Sequence, residues 1–598
     1  MLAGAPEFVL LTWVMLATLW LLEFAPSFLN SRHPVIFSRS TAAQKSDLEA
    51  MPALLSSSLR FIAVVVLVAG LSAVQLLPFF QLAAHSDRAV DDGNAAWSMP
   101  ASGCANFLVP LFHCTRTIFG TYIQPAQQWT TSYYLGIGTL ALAAVAVWKV
   151  RSKHVRWLAA IALIGVILAL GNQAFIYPLV KRIVPAFGLA RYPIKFLIPA
   201  TFALPLLAAF GTHWASTWDT RELKRPFAIT GGLLLAASIL ILLFARFSPM
   251  PGENWHDTVA NGAARILFFL LSAGTLFLLV NASNPARKQW LSFACLILLG
   301  LDAITHTGRQ NPTVPNAAYG DLACEMKPPP ATGGSRAMVS PRNQAILSRA
   351  TFSQPLVHYV ALRKSLFENC NLAENLPKVN GFFSLHLQKQ AAINAILYQP
   401  TNYPSGLIDF LGASQLSSDD DFRRWVPRTS ASPLITGGQK VIFADEPTTL
   451  QALASPGFNP AKVVYLPQAV AGRLSATNAA RSSIQPTEFS AHRISAIAIN
   501  DAPALAVISQ NDYPSWHAFV DGQPAPLLRA NHAFQAVEIP AGKHTLRIEY
   551  HDTAFKLGAA ISALSVLICA ALAIRKENRT SRVFSDSSIV IAVSLARA

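Results

Sequence analysis

Hydrophobic residues are grouped along the chain in long runs that polar segments separate. Each run has roughly 20 residues, about the length of an α-helix that crosses a bilayer. The nine runs lie at residues 8–28, 60–80, 132–149, 157–176, 194–216, 227–246, 264–281, 289–306 and 557–574. The pattern predicts a polytopic α-helical membrane protein with about nine transmembrane helices.

A long polar segment interrupts this pattern, because residues 308–555 contain no run of that length. We predict that it folds outside the bilayer as an α+β domain. The predicted parts are a membrane domain with about eight transmembrane helices, a linker with a mixed α/β region, a small β-sandwich, and a final transmembrane helix with a tail. Their ranges are 1–307, 308–490, 491–555 and 556–598.

The end of the polar segment has the pattern of a small antiparallel sandwich. Its β-rich runs are broken by turn signals at residues 511–514, 521–522 and 540–542. We expect Trp516 and Phe534 in its core, and a platform for stacking sugar rings is the alternative. Upstream, "QKVIFADEPTTLQALAS" predicts a strand followed by a helix, and "SSDDDFRRW" predicts a capped helix start.

Lysine and arginine are distributed unevenly among the segments between the hydrophobic runs. Cytoplasmic loops of membrane proteins carry the excess of these residues. The rich segments are those around Arg32, Lys149, Arg221 and Arg287, and the tail from Arg575. They predict a cytoplasmic C-terminus. The segments predicted to lie outside the cytoplasm are 81–131, 177–193, 247–263 and 308–555.

Composition agrees with this topology. The chain is 52% hydrophobic and 13% charged, with a mean hydropathy of +0.38. Its net charge of +16 comes mostly from the loops predicted to be cytoplasmic, while residues 308–555 are nearly balanced in charge. Nothing in the charge distribution calls for a nucleic-acid partner.

Four of the six cysteines, Cys104, Cys114, Cys324 and Cys370, lie in segments predicted outside the cytoplasm. An oxidising compartment would permit Cys104–Cys114 and Cys324–Cys370 disulfides. Buried free thiols are the alternative. No histidine or second cysteine stands at ligand spacing from them, so they predict no metal site.

Two acids lie within hydrophobic runs, where a carboxylate facing lipid would be costly. We expect Glu23 to face other helices or to lie near the inner interface. We expect Asp302 to pair with a neighbouring cation.

Seven motifs follow one another over nearly the whole chain. The longest begins "SQNDYPSWHAFVDG" and runs through "FQAVEIPAGKH" into the last hydrophobic run. The others are "LAGAPE", "LLPFFQLAAHSDR", "SYYLGIGTLALA", "ARYPIKF", "LGLDAITHTGRQNPTV" and "LIDFLGASQL". In this order they resemble the YfhO family of bacterial membrane proteins.

Members of that family look like C-type glycosyltransferases, polytopic enzymes whose sugar donor is carried on a lipid phosphate. The resemblance implies a glycosyltransferase-like protein of the bacterial cytoplasmic membrane that uses a polyprenyl-phosphate-linked sugar for cell-envelope glycosylation. Its partners would be membrane lipids, the donor, and a cell-envelope glycan or polymer acceptor. A carboxylate acts as base or metal partner in such enzymes, so the resemblance is compatible with a divalent metal.

The motif "LAGAPE" departs from the family pattern in its position. In the family it follows several helices and an acid-bearing external loop, whereas here it occupies residues 2–7. We therefore expect the chain to lack the family's N-terminal portion and its catalytic Asp. Glu7 is a weak candidate for the base, and a solvated acid favoured by the helix dipole is the alternative.

Basic residues in the predicted external segments are candidates for holding the donor phosphate. They are Arg191, Lys195, Arg88, Lys181 and Arg182. Topology gives these segments no reason to be basic, and both Arg and Lys neutralise phosphates. Arg191 is the best single candidate. The alternative is snorkelling toward anionic lipid headgroups.

Two other functions stay open on the sequence alone. One is a non-catalytic membrane scaffold or lipid-carrier handling protein whose outer domain binds envelope polymer. The other is a transporter. This function is the weaker one, because neither a repeat of the membrane half nor paired broken helices are visible in the sequence.

Overall fold

The computed structural model describes residues 6–31, 56, 58–86, 97–184, 192–217, 220–308, 310–320, 326–383, 385–399 and 403–595. The chain divides into two compact units. The membrane unit comprises residues 1–61 and 89–313, and the second unit comprises residues 62–88 and 314–598.

Helices account for most of the membrane unit and are interspersed with strands in the second. The helices are α1 (Pro6–Ser31), α2 (Ser58–Leu71), α3 (Ala73–Ala84), α4 (Ile137–Lys149), α5 (Lys153–Ala169), α6 (Ile176–Ile183), α7 (Leu197–Thr217), α8 (Thr220–Phe247), α9 (Trp255–Asn281), α10 (Pro285–Thr305), α11 (Pro341–Leu347), α12 (Pro355–Lys364), α13 (Gln388–Leu397), α14 (Ser405–Phe410), α15 (Glu446–Ala454) and α16 (Thr553–Leu595).

The strands are short in the middle of the chain and longer towards its end. They are β1 (Thr115–Arg116), β2 (Tyr122–Ile123), β3 (Arg336–Met338), β4 (Ala413–Ser417), β5 (Trp425–Pro427), β6 (Ile435–Gly437), β7 (Lys440–Ala444), β8 (Val463–Pro467), β9 (Ser482–Phe489), β10 (Arg493–Asn500), β11 (Ala504–Asn511), β12 (Trp516–Val520), β13 (Gln523–Ala525), β14 (Leu527–Ala530), β15 (Phe534–Ile539) and β16 (Gly542–Tyr550).

Five helical segments in the described part of the chain are long and apolar enough to cross a membrane. They are Pro193–Ala215, Lys224–Phe247, Trp255–Asn281, Pro285–Thr305 and Thr553–Ile574. α2 and α3 would together make a sixth, although the chain bends by 75° between them. These segments support a multi-pass membrane protein, and the predicted count of nine is not confirmed.

The other predicted spans coincide with shorter apolar helices. Apolar helical stretches cover Phe8–Glu23 and Ile137–Lys149, and α5 has 17 residues. Glycines explain why α4 begins after the start of its hydrophobic run and why α5 ends before the end of its run. Gly136 precedes α4 with φ 96°, and Gly171 follows α5 with φ 54°. A hydrophobic run is therefore longer than its helix where such a residue stops the helical geometry.

Glycines also let helices of the membrane unit approach each other closely. A Cβ atom on Gly211 of α7 would lie 2.2 Å from the carbonyl oxygen of Leu142 in α4. A Cβ atom on Gly165 of α5 would lie 2.6 Å from the carbonyl oxygen of Phe196, just before α7. α7 thus packs against both α4 and α5, and small residues at helix contacts are typical of membrane proteins.

The bend between α2 and α3 is stabilised by α16 within the second unit. Ser562 Oγ donates to the carbonyl oxygen of Gly70 at 3.0 Å and accepts from the backbone N–H of Val74 at 3.0 Å. A broken helix in an apolar environment leaves backbone groups that need other partners. The Ser562 hydroxyl satisfies one group on each side of the break.

Two antiparallel sheets form a sandwich near the end of the second unit. Their strand orders are β13-β12-β16-β10-β9 and β14-β15-β11-β6. Both sheets contribute to one core, in which Trp516 is 8% exposed. Phe534 is also buried, so the predicted core positions are confirmed and neither ring is a surface platform. The sheets also include β6 and β9, which lie upstream of the predicted start at residue 491.

A layer of helices covers the outer face of the second sheet. Ile393 of α13, Leu407 of α14 and Leu453 of α15 share a buried core with Phe534. β7 and β8 pair in parallel beside this layer, and α15 follows β7 directly. The predicted strand and helix in "QKVIFADEPTTLQALAS" are therefore confirmed.

The prediction for "SSDDDFRRW" is wrong. This segment closes the turn between the antiparallel strands β4 and β5. The backbone N–H of Ser418 donates to the carbonyl oxygen of Arg424 at 2.8 Å, and that of Arg424 donates to the carbonyl oxygen of Asp421 at 2.9 Å. Asp421 also accepts from the backbone N–H of Arg423. An Asp suits such a turn as well as it suits a helix cap, so strand pairing decided between them.

Candidate functional site

Lys195 lies at the entrance to a predicted span, in a short 3-10 helix, Pro193–Phe196, that leads directly into α7. Pro193 begins this segment and restricts its backbone. Ile194 and Phe196 are buried in a core that also contains Tyr177 of α6. This anchoring holds the Lys195 side chain half-buried beside aromatic rings.

Two aromatic rings lie within reach of the Lys195 ammonium group. Its Nζ atom is 5.4 Å from the ring centroid of Trp129 and 5.0 Å from that of Tyr192. Tyr192 stacks on Trp97 with 4.4 Å between the ring centroids. A cation over an aromatic face is attracted by the ring electrons. We call Trp97, Trp129, Tyr192 and Lys195 the aromatic lysine site.

A buried amide holds Trp129 in place. Gln127 Oε1 accepts from the backbone N–H groups of Trp129 and Thr130 at 3.0 and 3.1 Å. Gln127 Nε2 donates to Gln124 Oε1 at 2.9 Å, and both glutamines are 1% exposed. Because the amides are fixed by hydrogen bonds, the loop presents Trp129 in a defined position.

The structure places the predicted phosphate-binding residues unequally. Lys181 and Arg182 lie in the last turn of α6, and α6 shares its core with the segment of Lys195. Arg191 and Arg88 lie outside the described residues. Their predicted part in a common cluster stays a prediction.

The aromatic lysine site can hold an anionic group beside a flat apolar surface. The ammonium group is a point charge that suits a phosphate oxygen. The Trp129 and Tyr192 rings offer apolar faces with a polar N–H or O–H at one end. The predicted carboxylate candidate Glu7 lies in α1, and its side chain lies outside the described residues.

A buried ion pair joins α9 and α10. Arg265 Nη1 lies 2.9 Å from Asp302 Oδ1, and the two residues are 3% and 1% exposed. Tyr134 donates its hydroxyl hydrogen to Asp302 Oδ2 at 2.8 Å. The predicted pairing of Asp302 with a cation is confirmed. The sequence did not identify Arg265 as the partner of Asp302. Arg265 is a lone charge at the start of the apolar run 264–281, and this position could have indicated a buried pairing.

Of the comparisons with known proteins, the family models give a match. Residues 473–562 match the family model described as Bacterial membrane protein YfhO. The resemblance to the YfhO family is confirmed. The matched residues include β9 to β16 and the first part of α16. No curated protein and no solved structure matches the chain.

Glu23 lies against another helix, as predicted. Its carboxylate oxygens are each 2.5 Å from a nitrogen of α5, one from Lys153 Nζ and the other from His154 Nε2. Both partners lie in the first turn of α5. A carboxylate within an apolar run is thus paired rather than exposed to lipid.

Of the two alternatives for Cys104 and Cys114, a disulfide or free thiols, the structure has free thiols. Cys104 is exposed, whereas Cys114 is buried and its Sγ atom faces Asn106 Oδ1 at 3.9 Å. Burial, with a smaller effect of the nearby Glu253 charge, raises the pKa of Cys114 to about 12. Cys324 lies outside the described residues, so the Cys324–Cys370 pairing is untested.

Metal ligands do not gather in the part of the chain that the structure describes. No group of three His, Cys, Asp or Glu side chains there could hold an ion. The sequence resemblance left a divalent metal open, and we assign no ligands to one.

A hydrogen-bonded carboxylate in the predicted external segments was also missed. Asp257 Oδ2 in the first turn of α9 accepts from the Tyr122 hydroxyl at 2.9 Å. Burial and this hydrogen bond raise the pKa of Tyr122. The pair joins β2 to α9, and residues 135 positions apart gave no local signal of it.

Proposed function

We propose that this chain is a membrane glycosyltransferase-like protein of the cell envelope that takes its sugar from a polyprenyl phosphate. The observation that carries the proposal is the aromatic lysine site at the start of a membrane span, in a chain with a YfhO family segment. Lys195 would hold the carrier phosphate. Lys181, Arg182 and Arg191, which belong to the same unit as Lys195, would supply further positive charge.

The proposed reaction is a displacement at the anomeric carbon of the sugar. An acceptor hydroxyl oxygen forms a bond to that carbon while the bond from the carbon to the phosphate oxygen breaks. The bonding electrons leave with the carrier phosphate, and the hydroxyl proton passes to a base that we leave unassigned. A cation held beside the phosphate stabilises the charge that develops on the leaving group. Partial burial of Lys195 strengthens that attraction, because it lowers the local dielectric.

Replacement of Lys195 by Gln tests the phosphate role. The loss of one charge-assisted contact should weaken binding of polyprenyl phosphate by roughly tenfold to a hundredfold. Binding is measured with purified full-length protein in nanodiscs, and transfer is followed with radiolabelled polyprenyl-phospho-glucose and cell-envelope extract. The proposal expects a similar fall in transfer.

Lys149→Gln is a matched control, because Lys149 Nζ also lies over an aromatic ring, 4.8 Å from the centroid of Trp148. It should leave carrier binding unchanged. Equal losses in both variants would point to general attraction for anionic headgroups and would contradict a phosphate site at Lys195. Carrier binding without transfer of any tested sugar would favour the lipid-carrier handling function instead.

A further inference from the structure

A cavity of about 210 Å³ lies in the second unit, where the parallel strands β7 and β8 end. Its lining includes Asp445, Glu446, Tyr465, Gln468, Arg529 and His532. The carboxyl ends of parallel strands are a common place for ligands, because helices that follow the strands begin there. The cavity has the volume of about seven water molecules at ~30 Å³ each, enough for a single six-membered sugar ring.

His532 is a nearly buried polar residue in the lining of the cavity. It is 8% exposed, and its Nδ1 atom is buried without a hydrogen-bond partner among the described residues. A buried polar atom left without a partner costs free energy. Burial lowers the pKa of His532, so its ring is neutral at pH 7 and offers one N–H donor and one acceptor.

The backbone around His532 is strained in a way that fixes its position. His532 has φ 71°, and the N–H of Ala533 donates to the carbonyl oxygen of Asn531 at 2.9 Å across it. A non-glycine residue at the centre of such a turn is rare. Asn531 holds the turn against β8 through two hydrogen bonds. Its backbone N–H donates to the carbonyl oxygen of Tyr465 at 2.8 Å, and its Oδ1 accepts from the backbone N–H of Tyr465 at 3.0 Å.

An ordered charge network forms another wall of the cavity. Glu446 Oε1 lies 3.0 Å from Arg529 Nη2 and 2.6 Å from Lys389 Nζ. Asp445 caps α15 by accepting from the backbone N–H of Thr448 at 2.9 Å. With His532 neutral, Asp445 and Glu446 are balanced by Arg529 and Lys389, so the network carries no net positive charge that would favour an anion.

The geometry points to a neutral pyranose ring as the occupant of this cavity. Its hydroxyl groups would donate to Glu446 and accept from Arg529, and one hydroxyl would pair with Nε2 of His532, the ring nitrogen that is not sealed from solvent. Tyr465, together with Leu466 and Pro467 of the same strand, supplies an apolar wall for the C–H face of the ring. This inference rests on the proposed function for the source of the sugar, which belongs either to the envelope acceptor or to the lipid-linked donor.

Binding of methyl glucopyranoside, methyl galactopyranoside and N-acetylglucosamine to the purified full-length protein tests the inference. Saturation-transfer difference NMR should show saturable binding of at least one of them. Arg529→Gln and His532→Leu should each raise its dissociation constant at least tenfold. Arg473→Gln, at an exposed arginine of the same unit, should leave it unchanged. Thermal melting of each variant confirms that the protein is folded.

Two competitors identify the source of the ring. Displacement of the glycoside by maltotriose indicates an acceptor sugar, and displacement by polyprenyl-phospho-glucose indicates the donor sugar; either supports the inference. No saturable binding of any neutral glycoside, an equal effect of the Arg473 variant, or stronger binding of glucuronate or inorganic phosphate would overturn it. Glycoside binding by a protein that transfers no sugar would contradict only the proposed function. Sugar transfer by a protein that binds no glycoside would contradict only the assignment of the cavity.

Discussion

At the scale of single residues, charges within apolar surroundings have the largest consequences for stability. Arg265 and Asp302 are both nearly inaccessible to solvent and are paired by a hydrogen-bonded ion contact. Taking two charges out of water is costly, and their mutual attraction offsets that cost only while both are present. The pair therefore matters most when one member is removed.

Asp302→Ala should lower the free energy of unfolding by about 3–5 kcal/mol, because Arg265 would remain buried without its counter-charge. Unfolding is measured by SDS titration in mixed micelles. The double variant Arg265→Met with Asp302→Leu should recover most of the loss. A double variant as unstable as the single one would show that the ion pair is not the cause.

Cys104 and Cys114 should differ strongly in reactivity towards a maleimide. Cys104 is exposed, whereas Cys114 is buried with its pKa raised to about 12, so its thiolate is scarce at pH 7. Mass spectrometry of the folded protein should find Cys104 modified first and Cys114 modified only after denaturation. If neither reacted in denaturant until a reductant was added, a disulfide would be present after all.

At the scale of elements, close helix contacts depend on residues without side chains. Gly211→Ala should destabilise the packing of α7 on α4 by about 1–3 kcal/mol, because the new Cβ atom meets a backbone carbonyl. Gly274→Ala in α9 is the matched control, since nothing lies within 4 Å of its Cβ position. There the better helix propensity of Ala should slightly stabilise the protein. Thermal melting in detergent compares the two, and equal effects would contradict the close approach.

The β12–β13 turn and β16 are joined by a pH-dependent contact. His544 Nδ1 lies 2.6 Å from Asp521 Oδ2. This hydrogen bond raises the pKa of His544 and lowers the pKa of Asp521. The contribution of His544 to the free energy of unfolding is complete below about pH 6.5 and is lost as the pH rises through the raised pKa of the folded state. The contribution of Asp521 is complete above about pH 4 and is lost as the pH falls through the lowered pKa of the folded state.

His544→Gln should therefore lower the melting temperature most at about pH 5 to 6 and little at about pH 9. Melting curves of both proteins across this range give the difference directly. His492→Gln, at an exposed histidine of the same sandwich, should show no such pH dependence. A difference for His544→Gln that persisted unchanged at pH 9 would rule out the ionised pair as its source.

At the scale of the whole molecule, the distribution of lysine and arginine predicts that residues 308–555 lie outside the cytoplasm. In a cysteine-free background, Arg473→Cys should react with a membrane-impermeant maleimide on intact cells. Lys288→Cys, in a loop predicted to be cytoplasmic, should react only after permeabilisation. Both side chains are exposed in the structure, so the reverse pattern would show that the predicted orientation is wrong.

The sequence by itself determined those features that depend on neighbouring residues. A run such as 227–246 predicts a span because helix length and local apolarity decide whether a segment can cross a bilayer. Turn chemistry likewise located the hairpins around Asp521 and Gly542. The hydrophobic pattern overestimated the extent of the helices at 132–149 and 157–176, where Gly136 and Gly171 shorten them.

Only the tertiary structure decided which distant residues meet. The pairing of Arg265 with Asp302, the aromatic rings beside Lys195, and the approach of His532 to α15 join residues tens of positions apart. Nothing in the local sequence specifies such contacts, because they follow from how whole helices and sheets pack. That packing makes a lysine near a span part of an aromatic site, and places a buried histidine in a cavity of sugar size.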